Sequence, residues 1–357
     1  MNVTLLREML LSRHRDDLPW SPRGCGSRDL TFDSRSQPLP LDGSPGTIDL
    51  DGEEMVATVS AGVKVAELQD AAGAEGLVLS GVIDGEKGTV GGLYSDPRES
   101  PIHPAVGRLR DHILGIEGIR GDGKSLRAGG RVVKNVTGYD LVRLLCGARG
   151  SLGLVTRLTL RLERRAQVWA RVHWPLESEE ATSRALEGIR RLPFEPWTTV
   201  IEPALKIAWT IVAGSTISVG ERVEAILETV DDGEVEELDL TGVAQLVRRC
   251  GGEATDCLRV RLPLRQWPRF ISKVQDQWRG IFPSAGYGIL APGPLSDFLE
   301  EGGESIESCG GSVVAESATA ANALHLPISR PSPVDRLTRA LRRQWDPAGN
   351  LYWQEKS

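Results

Sequence analysis

The pattern of hydrophobic and polar positions changes about halfway along the chain. Before residue 165, short alternating runs predict strands, as in 154–162, where Leu158, Leu160 and Leu162 face one side. Apolar residues three and four positions apart predict helices over 3–16 and 65–76. Beyond residue 165, longer amphipathic segments alternate with strands. This change predicts two domains, each long enough to bury its own core.

The same pattern gives the order of the elements. The first half contains a predicted hairpin, "HILGIEGIR" with "KSLRAGG", and a loop from about Ser80 to Gly107. In the second half the β-α-β-β-α-β order predicts an α+β domain with helices on one face of a sheet. The elements predicted in this half are strands 168–174, 197–202, 205–213 and 256–262, and helices 178–191, 217–230 and 264–280. A last helix is predicted between Ser332 and Asp346.

Composition narrows the class of protein. The net charge of −7 argues against non-specific nucleic-acid binding, which needs clustered cations. Charged residues in the first 17 positions argue against a signal peptide, and no apolar run is long enough to span a membrane. A cytoplasmic protein is predicted, and peripheral attachment to the inner membrane through a complex stays open. The 5 cysteines form no C-x-x-C pair, which argues against a structural zinc site or an iron–sulfur cluster.

Two glycine-rich loops are candidates for binding phosphate, because glycine lets several backbone amides approach one anion. The first is Arg23-Gly24-Cys25-Gly26-Ser27, and the second contains Thr89-Val90-Gly91-Gly92. Neither loop has the dinucleotide or P-loop spacing, and each alone is more often an ordinary turn. Cys25 could be a catalytic thiol or a metal ligand, but no histidine stands beside it in the sequence.

The order of five segments is more specific than either loop. "RGCGS", "GTVGG", "GRLRDHILGIEGIRGDGK", "GGRVVKNVTGYDLVRLLCGARGSLGLVTRLTLRL" and the tail "LTRALRRQWDPAGNLY" follow one another along the chain. Together they resemble the FAD-binding domain of the vanillyl-alcohol-oxidase type, also called PCMH-type. Within that family, the chain is most similar to the E-subunit group of bacterial glycolate oxidases.

The resemblance implies an α+β fold with three parts. Residues 1–165 would form a PCMH-type FAD-binding domain of two α/β subdomains. Residues 166–330 would form an α+β cap domain. Residues 331–357 would form a helix and tail that return to the FAD-binding domain.

The resemblance also implies residues that bind non-covalent FAD. Two sequence departures bear on FAD affinity: Cys25 stands where the family has glycine, and Asp96 adds a carboxylate after the second loop. The implied cofactor residues are Arg23, Gly24, Cys25, Gly26, Ser27, Thr89, Val90, Gly91, Gly92, Gly107, Arg110, Asp111, Gly150, Gly153 and Val155.

The implied function is that of an FAD-binding subunit in a glycolate-oxidase-like complex that oxidises a small 2-hydroxy acid. A second flavoprotein subunit and an iron–sulfur subunit would be its partners. A scaffold that has lost FAD and a stand-alone FAD-dependent oxidase are the alternatives. No catalytic base is assigned; His112, Tyr94, His103 and Lys134 are weak candidates. A metal site is not expected, because the second half contains no histidine-rich motif.

Overall fold

The structure is a computed structural model. It describes residues 3–12, 18–25, 36–41, 46–82, 87–97, 100–131, 140–251, 258–268, 278–290, 311–315 and 333–351. The chain divides into two compact units. Unit 1 contains Met1–Glu99, Gly107–Arg165 and Pro331–Ser357, and unit 2 contains Ser100–Val106 and Ala166–Arg330.

Both units contain helices and strands among the described residues. The helices are α1 Val3–Leu11, α2 Val65–Ala74, α3 Val90–Ser95, α4 His103–Val106, α5 Leu141–Leu145, α6 Glu179–Arg190, α7 Thr216–Leu227, α8 Leu240–Gly251 and α9 Pro333–Trp345. The strands of unit 1 are β1 Trp20–Arg23, β2 Gln37–Pro40, β3 Ile48–Asp51, β4 Val56–Ser60, β5 Leu77–Val78, β6 Ile113–Ile119, β7 Ser125–Gly129, β8 Leu154–Arg161 and β9 Glu163–Arg164. Those of unit 2 are β10 Val168–Pro175, β11 Thr198–Glu202, β12 Ile207–Gly214, β13 Glu234–Leu238, β14 Leu258–Arg261, β15 Trp278–Phe282, β16 Tyr287–Leu290 and β17 Ser312–Ala315.

Unit 1 is built around a five-stranded antiparallel sheet in the order β3-β4-β8-β6-β7. The strand predicted over 154–162 is confirmed as β8, and its residues Leu158 and Leu160 are fully buried. The predicted hairpin is confirmed as β6 and β7. Strands β1 and β2 form a separate parallel pair, which carries the first glycine loop at its end. Burial of Leu158 and Leu160 stabilises the folded state by about 1.5–3 kcal/mol for each side chain.

Unit 2 contains an eight-stranded sheet in the order β13-β10-β12-β11-β15-β16-β14-β17. Helices α6 and α7 bury Leu186, Ile189 and Ile226 in its hydrophobic core. A polar network lies within the same unit: the Glu202 carboxylate accepts hydrogen bonds from the Trp209 indole at 2.6 Å and from Arg249 at 2.7 Å. Glu202 is buried, so these two donors offset the cost of its desolvation.

The structure corrects two predictions of secondary structure. The helix predicted over 264–280 is wrong at its end, because 278–282 forms strand β15, while 269–277 lies outside the described residues. Ile281 and Phe282 are buried in that strand, so sheet pairing overrides the helical pattern. The loop predicted from Ser80 to Gly107 contains α3 and α4, and Thr89 caps α3. Strand β13 and helix α8 were not predicted.

The C-terminal helix α9 ends against the β6–β7 hairpin of unit 1. The Asp346 carboxylate accepts the amides of Asn350 at 2.7 Å and Leu351 at 2.9 Å. The Asn350 side chain donates to the carbonyl of Gly121 in the hairpin turn at 2.9 Å. Asp346 and Asn350 are both buried, so the tail is held by hydrogen bonds that water does not screen.

Among the described residues, no helix is long and apolar enough to cross a membrane.

The Asp346 contacts predict a measurable loss of stability. Asp346→Ala removes a charged acceptor from two buried amides, and it should lower the free energy of unfolding by about 2–4 kcal/mol. The exposed Arg343 on the same helix is the control, and Arg343→Ala should change it by less than about 0.5 kcal/mol. Urea denaturation measures both values. Equal values for the two variants would contradict this account of the tail.

Candidate cofactor-binding site

The first glycine loop begins at the end of β1, and two of its described backbone amides have no acceptor among the described residues. The carbonyl of Arg23 accepts the amide that follows β2, at 2.7 Å, and this bond ends the two-stranded pair. The next two amides, of Gly24 and Cys25, donate to no acceptor among the described residues. Gly26 and Ser27, the other two residues predicted in this loop, lie outside the described residues. The described half of the loop therefore presents two consecutive amides that can bind an anion.

Cys25 fits this loop without backbone strain. It is not among the non-glycine residues with a positive φ, so the thiol replaces the family's glycine at no conformational cost. Its side chain is exposed. In contrast, burial raises the pKa of the Cys146 thiol to about 11 and that of Cys250 to about 12. Cys146 is only partly exposed and Cys250 is buried, so Cys25 is more accessible to reagents than either of them.

The second loop uses most of its amides internally. The amides of Val90 and Gly91 donate to carbonyls of the 61–63 turn at 2.9 and 2.8 Å. The amide of Gly92 donates to the Thr89 side chain at 3.1 Å. The expectation that Thr89 to Gly92 offer consecutive free amides is therefore wrong for the last three residues. The amide of Thr89 itself has no acceptor in the residues that the structure describes.

The two loops meet in space. A Cβ atom added to Gly24 would lie 2.9 Å from the Oγ1 atom of Thr89. Gly24 has no positive φ, so this close approach, and not an unusual backbone conformation, requires glycine. The three amides without acceptors, those of Gly24, Cys25 and Thr89, therefore belong to one neighbourhood. Such a group can donate to the oxygens of a phosphate or pyrophosphate.

Residues 147–150 join both loops from a distant part of the sequence. The amide of Gly147 donates to the carbonyl of Tyr94 in α3 at 3.0 Å. A Cβ atom on Gly150, whose φ is +76°, would lie 2.5 Å from Pro22 in β1. The structure thus brings Gly150 to the strand that leads into the first loop.

Asp111 and Arg110 lie near helix α5 and near Cys146, the residue that follows this helix, while Gly107 lies near Gly81. The carbonyl of Gly107 is packed against Gly81, since a Cβ atom there would lie 3.0 Å away. Asp111 pairs with Arg143 of α5 at 3.2 Å. No contact recorded among the described residues joins these three to Gly24 or Thr89.

Val155 lies in strand β8 of the unit 1 sheet, and Gly153 immediately precedes that strand. A Cβ atom on Gly153 would lie 3.1 Å from the carbonyl oxygen of Ile119 in β6. Val155 pairs with Gly118, and its side chain is buried in the core. Only their backbones could therefore contact a cofactor.

The weak candidates for a catalytic base are held in structural contacts. The Nδ1 atom of buried His112 lies 3.7 Å from a Glu163 oxygen. The hydroxyl of fully buried Tyr94 donates to the carbonyl of Val142 at 2.7 Å, and burial raises the pKa of that tyrosine. His103 accepts the amide of Ser100 at 3.1 Å. Lys134 lies outside the described residues. No group of three or more metal-ligating side chains occurs in the described part of the chain.

The sequence interpretation missed the turn between β4 and α2. Backbone carbonyls of the 61–63 turn accept hydrogen bonds from the second-loop amides, and the backbones of Lys64 and Thr89 form an isolated β-bridge. A Cβ atom on Gly91 would lie 2.7 Å from that of Ala61, so small residues are needed on both sides. The exposed Lys64 adds a cation beside the candidate site. The sequence signal for this turn was the pair of small residues between the buried strand β4 and helix α2.

A cavity of about 650 Å³ lies elsewhere in unit 1. It is lined by Met55, Leu162, Arg131 and Arg161, among others. These residues are at the opposite end of β4 from the 61–63 turn. The cavity is therefore separate from the meeting point of the glycine loops.

Comparison with known proteins supports a flavin site. Residues 6–129 match the family described as FAD binding domain. Glycolate oxidase subunit GlcE of Escherichia coli is 33% identical over 167 residues, which are 45% of this chain and 48% of that protein. D-lactate dehydrogenase of Archaeoglobus fulgidus is 34% identical over 115 residues, 32% of this chain and 26% of the relative. Glycolate oxidase subunit GlcD of Bacillus subtilis is 33% identical over 116 residues, 32% of this chain and 25% of the relative. The matches span half or less of each relative's length.

The fold has a counterpart among solved structures. A crystal structure of alkyldihydroxyacetonephosphate synthase has a TM-score of 0.69, is 14% identical, and covers 98% of this chain and 75% of its own. At this identity the likeness concerns the fold alone. The predicted fold class, the resemblance to the FAD-binding family and the predicted cofactor, FAD, are confirmed. The predicted class, an FAD-dependent oxidoreductase, agrees with the family and with these relatives.

The packing of Gly91 on Ala61 predicts a cost for any side chain there. Gly91→Ala should lower the free energy of unfolding by about 1–3 kcal/mol, because the new methyl group overlaps backbone that cannot move freely. Gly130→Ala is the control, since nothing lies within 4 Å of its added Cβ atom. Urea denaturation compares the two variants. A Gly91→Ala protein as stable as the control would show that the turn does not constrain the second loop.

Proposed function

We propose that this chain is the FAD-binding subunit of an oxidoreductase complex that acts on a small 2-hydroxy acid. The observation that carries the proposal is the meeting of Gly24 with Thr89, where three backbone amides have no acceptor within the described part of the chain. FAD contains a pyrophosphate, whose oxygens accept such hydrogen bonds. Each charge-assisted bond contributes about 1.5–3 kcal/mol, so a few of them suffice for non-covalent binding.

The residues present fit this cofactor in charge as well as in shape. Arg23 and Lys64 are exposed cations on the two segments that meet. Asp96, the carboxylate that follows the second loop, is paired with Arg149 at 2.9 Å. The sign of the surroundings thus suits an anion. Bound FAD would supply the hydride acceptor, and the chain's part would be to bind and orient it.

The proposed roles of the predicted residues follow from their positions. Gly24 and Cys25 would donate their amides to the pyrophosphate, and Thr89 would donate from the second loop. Val90, Gly91 and Gly92 would shape that loop without donating. The remaining predicted residues are kept as proposals: Arg23, Gly26 and Ser27 in the first loop, Gly107, Arg110 and Asp111 along the adenosine diphosphate, and Gly150, Gly153 and Val155 at the adenine or ribose end.

We also propose how the chain is organised into parts and which proteins it assembles with. Residues 1–165 and 331–357 would bind FAD, and residues 166–330 would form the cap. Two relatives are named as subunits of glycolate oxidase, which supports membership of a comparable complex. A second flavoprotein and an iron–sulfur subunit are the partners we propose. We place the complex in the cytoplasm, with peripheral attachment to the inner membrane through a partner as the alternative.

A scaffold that keeps the fold but binds no FAD is the second candidate. The internal use of three second-loop amides favours it, because fewer donors remain for a pyrophosphate. The two candidates differ in one measurable property, the affinity for FAD. A stand-alone oxidase is a third candidate, and it differs by oxidising a 2-hydroxy acid without partners.

Two substitutions in adjacent positions test the proposal. Gly24→Val should weaken FAD binding at least about 30-fold, because its side chain would push Thr89 and the first loop apart. Cys25→Gly should keep the affinity within about threefold, since the backbone amide remains. Quenching of FAD fluorescence during titration of the full chain measures both.

Circular dichroism of each variant serves as the control for folding. Folded Gly24→Val protein with unchanged affinity would place the cofactor elsewhere. A large loss of flavin on Cys25→Gly would assign the thiol a role of its own. An unsubstituted chain that binds no FAD would favour the scaffold.

A further inference from the structure

Arg149 has an unusual backbone for its residue type. Its φ is +49°, in the left-handed region that favours glycine, and it lies between Gly147 and Gly150, which also have positive φ values. A side chain other than glycine costs about 1–2 kcal/mol in this region. Strain of this kind persists where the surrounding contacts require the residue. The contacts of the Arg149 side chain should therefore explain why this position is not glycine.

Among the described residues, the hydrogen bonds and ion pair of Arg149 are with the segment that follows the second loop. Its amide donates to the carbonyl of Ser95 at 3.0 Å. Its Nε atom donates to the Oδ1 atom of Asp96 at 2.9 Å. The Asp96 side chain is 19% exposed, so its charge is only partly screened by water. The amide of Asp96 in turn donates to the carbonyl of Gly92, one turn from the second loop.

The position of Asp96 creates an electrostatic conflict with an anionic ligand. Six helical residues separate it from Thr89, which corresponds to roughly 10 Å along α3. An unpaired carboxylate at that distance would repel the two negative charges of a pyrophosphate. Arg149 cancels this charge, and the neighbouring Gly150 packs against Pro22, which precedes the first loop.

We infer that Arg149 is a positioning residue for the cofactor site, which neutralises Asp96 and fastens residues 147–150 to the end of α3. This inference rests on the proposed binding of FAD. It assigns to Arg149 an effect on anion affinity that a purely structural contact would not have. The effect should depend on ionic strength, and it should depend on the presence of the Asp96 charge.

A double-mutant cycle on the full chain tests the inference. Arg149→Gln should weaken FAD binding about tenfold at low ionic strength, and the loss should shrink as salt is added. Asp96→Asn alone should leave the affinity unchanged or raise it. The double variant, Arg149→Gln with Asp96→Asn, should bind FAD within about threefold of the unsubstituted chain, because no charge is left unpaired.

The outcomes separate this inference from the proposed function. If the double variant binds as weakly as Arg149→Gln, the charge of Asp96 is irrelevant and the inference is wrong. If Arg149→Gln binds like the unsubstituted chain, it is also wrong, while the proposed function stands. If the unsubstituted chain binds no FAD, both fail. Thermal unfolding without FAD shows whether each variant is folded, and rescue by Asp96→Asn reports on charge even if stability falls.

Discussion

The close approach of Gly24 to Thr89 is the constraint on which the candidate site depends. It requires a residue without a side chain at the end of β1, and it requires the second loop to be held still. The 61–63 turn provides this support by accepting the amides of Val90 and Gly91. The same bonds that fix the second loop also remove donors from it. The site therefore depends on the first loop and on the amide of Thr89 for most of its hydrogen bonds.

The segments that build this site are far apart in sequence, and packing within unit 1 brings them together. Gly150 reaches β1, while Gly147 and Arg149 reach the end of α3. The same packing also pairs two charges. The Asp96 carboxylate would repel an anion, and its ion pair with Arg149 offsets this repulsion. If FAD binds here as proposed, its affinity would depend on contacts that do not touch the cofactor as well as on those that do.

Much of the fold could be predicted because its patterns are local. The alternation of Leu158 and Leu160 in β8 and the period of α2 depend only on neighbouring residues. The end of the helix predicted over 264–280 failed because pairing with β16 makes 278–282 a strand. For the site, the glycine loops were visible, but the use of their amides was not. Whether the amide of Gly91 faces a ligand or the carbonyl of Ala61 depends on a turn nearly thirty residues away.

Binding of the FAD pyrophosphate at the first glycine loop is tested most directly by the alkylation rate of Cys25 in the full chain, mapped by mass spectrometry. The rate is compared without flavin, with FAD, and with riboflavin, which lacks the pyrophosphate. FAD should slow the reaction of Cys25 at least about tenfold, riboflavin at the same concentration should not, and the rate at the buried Cys250 should stay low throughout. Bound FAD that leaves the Cys25 rate unchanged, or equal protection by riboflavin, would contradict binding of the pyrophosphate at this loop.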